Sequence, residues 1–247
     1  MIVEEHNIYE LVNDINQHRA VNNKFFDKWI NETLNFEQVA LFARNYWEWT
    51  FRFPEALACL VAATEDIDVR AEYSKTLYSE LGYGESSKVH SELFKNFVLE
   101  LLALIKVKDN LNRTVTFSQE PLLAATQAIN TWQRQVYSTD YAKALGAQLA
   151  LEWQAYAMIS RLYEGARNYM GYWNSGEQFH EACEFFYAHI ASAEKEHKVE
   201  SIKSVQIGLE EGADFDAIKQ GYNEQLELIA NFWCEIAEGF STVKNEV

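Results

Sequence analysis

Proline is nearly missing from this chain: Pro54 and Pro121 are the only two in 247 residues, and glycine numbers only ten. A β-rich fold of this length would need turn residues every ~8–12 positions, so that class is excluded. Basic charge is short as well. The 21 Lys and Arg against 37 Asp and Glu leave a net charge of −16. Nucleic acid and anionic membrane surfaces are recognised by basic patches, so neither is an expected partner. No apolar run approaches the ~18 residues of a membrane-spanning helix, and no signal peptide opens the sequence. Cys59, Cys183 and Cys234 are odd in number and form no CxxC pair. They predict buried free thiols in a reducing cytoplasm rather than disulfides.

What is present is apolar and helical in period. Hydrophobic residues make up 48% of the chain, enough to bury a core and to exclude disorder. Residues 3–19 carry Ile8, Leu11, Val12 and Ile15 at helical spacing, with His18 at the end. A second helix is expected over 24–34. Asn35 then caps a long third helix, with Pro54 inside it predicting a kink. Further helices are expected from Asp66 or Asp68 to Gly82, from Glu85 or Ser86 onward, over 118–136, over 141–169, over 184–200 and over 214–240. The loop-like stretch 108–114 does not divide the chain, because the helix after it has too little apolar surface to stand alone. All of 1–247 is therefore read as one all-α domain.

The stretch EFFYAHIASAEKEHKVE, Glu184 to Glu200, is expected to be one uninterrupted helix carrying His189, Glu194 and His197. Two imidazoles and a carboxylate on one face are half of a transition-metal site. With His189 as origin and roughly 100° per residue, His197 lies near 80° and Glu194 near 140°. One extra residue accommodated as a π-bulge would bring them to about −20° and 40°. Without it, Glu196 and Glu200 share the face of His189 instead. The competing reading of this charged stretch is a solvated helix face.

Two other places offer ligands. ELGYGESSKVHSELF sets Glu80 and His90 ten residues apart across a glycine hinge. Glu152 sits in LGAQLALEWQAYAM, a helix apolar nearly all round, where a lone carboxylate is costly unless it is paired or metal-bound. Glu80, His90, Glu152, His189, Glu194 and His197 together give three carboxylates and three imidazoles from four helices. Di-iron carboxylate sites are built that way, with carboxylates stabilising Fe(III) and neutral imidazoles suiting Fe(II).

On these motifs the chain resembles the haem-oxygenase-like di-iron oxidases and oxygenases, in particular the CADD-like group. It is more distantly similar to pyrroloquinoline-quinone synthase (PqqC) and to TenA, thiaminase II. NFEQVALFARNYWEWTFRFPEAL resembles the family's opening helix, and SELGYGESSKVHSELF its E…G.G….H..LF motif. Glu152 matches the mid-chain glutamate, and His189, Glu194 and His197 match the closing His/acid/His motif. Two departures stand out. The closing motif is spaced H-x4-E-x2-H rather than H-x3-D/E-x2-H, and Glu152 lies further than usual from His189, with GYWNSGEQFHEA as the insertion. Either predicts a distorted second iron site, or a chain that holds one metal or none.

The resemblance implies a bundle of seven or eight helices and a non-haem di-iron centre with two iron ions per chain and O2 as co-substrate. It implies a small-molecule substrate, amino-acid-derived or fatty-acyl, with p-aminobenzoate-type cofactor biosynthesis among the outcomes. An external electron donor and a homodimer also belong to this expectation. Glu48 or Glu55 is a candidate further ligand, and Tyr46 and Tyr156 are candidate radical relays, set against ordinary core packing. Three alternatives are weighed against it. A CADD-like protein-interaction module has no reason to bury Glu152 opposite histidines. Thiaminase-II-like hydrolysis needs a nucleophilic cysteine, and Cys59 and Cys234 sit in apolar sequence. Haem oxygenase proper would use one histidine such as His18 and leave the other ligands unexplained.

Overall fold

The chain, described here from a computed structural model, is defined over residues 8–113, 117, 121–190 and 193–243, with the side chains of 193–197 left aside. Among the described residues there is no strand. The helices are α1 (Lys24–Asn31), α2 (Phe36–Ala63), α3 (Ile67–Glu80), α4 (His90–Lys108), α5 (Ala124–Thr139), α6 (Tyr141–Ala166), α7 (Gly176–Ala182), α8 (Glu184–Ile190), α9 (Ala193–Glu210) and α10 (Phe215–Gly239). With the helical turn at 8–12 these make eleven among the described residues, more than the seven or eight expected.

Local chemistry sets most of the starts. The Asn35 side chain accepts from the Gln38 N–H while the Gln38 side chain accepts from the Asn35 N–H, a reciprocal capping box that opens α2. Asn23, Asp66, Asp140 and Asp214 cap α1, α3, α6 and α10 more simply, each side chain accepting from N–H groups of the first turn. α2 continues through Pro54 to Ala63. The carbonyl of Thr50 thereby loses its intrahelical donor, and the Thr50 hydroxyl donates one turn back to Trp47 O.

Several expected boundaries move. The helix expected over 3–19 is helical at 8–12 and then a single 3-10 turn, Ile15–Gln17, which leaves His18 outside any helix. The helix after the glycine hinge begins at His90, because the chain first makes two 3-10 turns, Gly82–Gly84 and Ser86–Lys88. Between α6 and α8 the chain also forms the short helix α7, capped by Ser175. The single helix expected over 184–200 is described as α8 and α9; residues 191–192, where the bulge would fall, lie outside the described residues.

α6 is the hub of the bundle, packing on α10, α9, α1, α8 and α5, while α2 packs on α5, α4 and α3. Around α1, α2 and α10 the core is aromatic: Phe25 lies 4.6 Å from Trp233 and 4.9 Å from Phe42, ring centre to centre. Trp29 is anchored by a hydrogen bond from its indole N–H to Leu162 O at 2.8 Å. Where α6 crosses α10 the backbones nearly touch. A Cβ on Gly146 would fall 1.8 Å from Ile218 O, and one on Gly221 would fall 2.0 Å from Lys143 O. The glycine pair is what permits this approach. The helix that carries Glu152 is thereby fixed against the last helix of the chain.

Candidate metal centre

The site begins where α3 stops. Glu80 is its last residue, and Gly82, Tyr83 and Gly84 then take φ of +66°, 56° and 88°. This left-handed run reverses the chain within one turn. Tyr83 adopts a conformation costly for a side chain of its size, and its hydroxyl accepts from Ser79 Oγ at 3.0 Å. Two turns later His90 opens α4, so the hinge sets the end of one helix against the start of the next. His90 Nδ1 is 3.1 Å from Glu80 Oε2. The N-terminus of a helix favours a carboxylate beside it.

His189 reaches the same place from α8. Its ring lies 4.3 Å from that of His90 and 4.7 Å from that of Phe185. His189 Nδ1 is 2.8 Å from Phe185 O. A carbonyl only accepts, so Nδ1 is the donor in this contact, and in the neutral ring Nε2 would be the ligating nitrogen. Metal-binding histidines are oriented by such a bond. One donor atom each from Glu80, His90 and His189 lie within 4.8 Å of one another. Atoms sharing one first-row metal at ~2.0–2.2 Å lie roughly 3–4.3 Å apart, so small side-chain adjustment closes the set. One carboxylate and two imidazoles with open positions left over fit iron.

Of the remaining candidates, Glu152 is buried in the wall of the same cavity but outside the three-residue cluster. Its Oε1 accepts from Gln148 Nε2 at 2.6 Å, and Gln148 Oε1 accepts from the Tyr137 hydroxyl at 2.9 Å. Burial holds the Tyr137 hydroxyl well above its ordinary pKa, so it stays a donor. The chain Tyr137–Gln148–Glu152 supplies the pairing that a buried carboxylate requires. The side chains of Glu194 and His197 lie outside the described residues.

Tyr46 is buried against Phe94 and Trp233 and lines the cavity. Tyr156 is 46% exposed, with Lys198 Nζ at 5.8 Å from its ring. Glu48 and Glu55 both accept from Arg52, at 2.9 and 2.7 Å, and line a separate surface groove. His18 sits near Glu227 at 3.4 Å, and burial lowers its pKa despite that carboxylate. The cysteines are all free, but only Cys183 is buried; Cys59 is intermediate and Cys234 is exposed. The expectation of three buried thiols is corrected: the Cys234 position faces outward on α10, where its Sγ donates to Glu238 at 3.5 Å. None of the three lines the cavity.

That cavity measures about 100 Å3 and is bounded by Glu80, His90 and His189 together with Trp49, Phe53 and Met158. A second chamber of about 700 Å3 shares Thr76, Ser79 and Glu152 with it and extends to the exposed Tyr78 and Tyr83. Gln148 and Gln154, absent from the sequence expectation, belong to these walls. The available signal was their position in the apolar α6, where a buried amide needs a purpose as much as a buried carboxylate does.

Gly82 carries the hinge. A Cβ there would stand 2.4 Å from Lys88 C and 2.5 Å from Val89 N, immediately before His90. Gly82→Ala is expected to cost about 1–3 kcal/mol and to weaken Fe(II) affinity by moving His90 away from Glu80. Thermal unfolding and metal titration of the variant check this; native values for both would contradict the hinge's role.

Residues 40–229 match the sequence profile of a family described as iron-containing redox enzymes. A 4-aminobenzoate synthase from Chlamydia pneumoniae is 25% identical over 218 residues, 88% of this chain and 89% of that protein. A TenA homologue from Pseudomonas syringae pv. tomato superposes with a TM-score of 0.71 at 13% identity, covering 94% of this chain and 92% of that one. A CADD-like protein of unknown function from Nostoc punctiforme gives 0.71 at 12% identity, covering 99% and 98%. At such identities the two structural likenesses speak to the fold alone.

Proposed function

The chain belongs to the family of iron-containing redox enzymes, and from that premise we propose that it is an O2-activating oxidase or oxygenase with a non-haem di-iron centre acting on a small molecule. The observation that carries this reading is the convergence of Glu80, His90 and His189 on one cavity, with His189 Nδ1 held 2.8 Å from the Phe185 carbonyl oxygen. Iron bound there supplies one-electron redox chemistry towards O2. The protein's own contribution is to hold and to exclude. Glu80 brings negative charge, His90 and His189 bring neutral nitrogen, and Phe53, Trp49 and Met158 keep bulk water from the reacting space. Glu152 is the proposed further ligand, held ready by Gln148, and Glu194 and His197 complete the proposed second site. Tyr46, buried in the wall, is the better placed of the two candidate relays.

The relative's name supports a narrower version, in which the product is of the 4-aminobenzoate type. The proposal includes an external electron donor, because turnover must return the metal to its reduced form. Free thiols fit a reducing cytoplasm, and no helix is long and apolar enough to cross a membrane among the described residues. TenA-like hydrolysis is less well supported, since no cysteine lines the cavity to act as nucleophile.

Anaerobic Fe(II) titration followed by O2 addition tests the reading. The expected result is about two irons per chain and an O2-dependent visible absorption band. A single iron would point to the half of the site proposed on Glu194 and His197 as the broken one. Absence of uptake would overturn the proposal in favour of a protein-interaction module.

A further inference from the structure

Among the described residues, helix α5 supplies none of the side chains that bound the metal cavity, yet it reaches two of them through hydrogen bonds. Gln133 and Tyr137 lie one helical turn apart on its buried face. Gln133 Oε1 accepts from Trp49 Nε1 at 3.1 Å and its Nε2 donates to Gln225 Oε1 at 3.1 Å, so the cavity's indole is tied through α5 to α10. Tyr137 reaches Glu152 by one intermediate. Its hydroxyl donates to Gln148 Oε1 at 2.9 Å, and Gln148 Nε2 donates to Glu152 Oε1 at 2.6 Å. Tyr137, Gln148 and Glu152 are all buried, so water competes little for these bonds.

The direction of this relay is fixed from its acidic end. An ionised carboxylate only accepts, so Gln148 must turn its NH2 to Glu152 and its carbonyl to α5. Only a donor can answer that carbonyl, and Tyr137 supplies it. Without the hydroxyl, the Gln148 amide would be held at the Glu152 end alone, and its buried oxygen would lose its one donor among the described residues. We propose that Tyr137 is a positioning residue for the metal centre: through Gln148 it sets the direction of the Glu152 carboxylate, from a helix that carries no ligand. Ligating carboxylates depend on such outer partners for their orientation. The consequence for iron rests on the reading of Glu152 as a ligand, whereas the setting of Glu152 itself needs no metal.

Anaerobic Fe(II) titration of Tyr137→Phe and Gln148→Leu, singly and together, tests the relay. Tyr137→Phe removes one oxygen and keeps the ring, so the core stays filled. It is expected to weaken the iron that depends on Glu152, the one lost in Glu152→Ala, by about tenfold, with the other iron within about threefold of native. Gln148→Leu should weaken the same iron by about 10–100-fold. Adding Tyr137→Phe to it should change nothing further, because the relay is already cut. Native affinity in Tyr137→Phe, equal weakening of both irons, or a further loss in the double variant would each overturn the proposal. Urea unfolding of the metal-free protein gives a second readout, which also stands in if the leucine variant does not fold. Tyr137→Phe should lower the folding equilibrium constant about tenfold beside Glu152 but less than about threefold in a Glu152→Gln background, since a hydrogen-bond chain ending on a charge is the stronger. Equal losses in the two backgrounds would make Tyr137 an ordinary core hydroxyl and sink the proposal. Where no iron depends on Glu152, the ligand reading fails and the urea comparison decides the role of Tyr137 by itself.

Discussion

Replacing His90 by alanine is expected to abolish stoichiometric Fe(II) binding while the far-UV circular dichroism stays near that of the native protein. His90 touches both other members of the cluster, 3.1 Å from Glu80 Oε2 and ring to ring with His189 at 4.3 Å. Loss of an orienting neighbour alone typically costs a metal site 10–100-fold in affinity; loss of a ligand from a set of three costs more, on the order of 100-fold or above. The fold should survive, because His90 is only the first residue of α4. Glu152→Ala is the companion variant and is expected to lower iron stoichiometry as well. If both proteins take up iron as the native chain does, the ligand assignment is wrong.

The second large effect is on stability. Gly146→Ala is expected to destabilise the protein by about 3–5 kcal/mol, read as the shift in urea midpoint at unchanged slope. The added methyl would meet Ile218 O at 1.8 Å and Tyr222 N at 2.8 Å. Both atoms are backbone, so no rotamer change relieves the clash and the helices must separate. Separation would open the interface between α6 and α10, where Leu145, Leu149, Ile218, Tyr222 and Leu226 are all buried. Gly221→Ala, facing Lys143 O at 2.0 Å from the opposite helix, should cost a similar amount. Because both glycines belong to one contact, the double variant should fall short of the sum of the two. A midpoint within about 0.5 kcal/mol of native for either variant would mean the helices do not pack this closely.

The sequence by itself determined the helical class and much of the element order. Scarce proline and glycine, the 3.6-residue period, and caps such as Asn35 and Asp66 act within a few residues of where they sit, so no partner helix is needed to read them. The pairing of Glu80 with His90 was legible for the same reason, because a ten-residue hinge leaves little freedom in where its two ends point. Glu152 announced itself as a carboxylate in apolar surroundings, and His189 by its spacing to Glu194 and His197. Tertiary structure decided the rest. Which face of α6 meets the cavity depends on helices far away in the chain, so Gln148 could not be foreseen as the partner of Glu152, nor Tyr137 as the donor behind it. Tyr156, one turn beyond Glu152, is exposed, whereas Tyr46 is buried; helical period ranks neither, because burial is fixed by what packs opposite. Glu48 and Glu55 went to Arg52, a choice settled by their outer position on α2. Gly146 reads as an ordinary weak helix residue until the backbone of α10 is placed against it, and only then does the missing side chain become the reason the bundle closes.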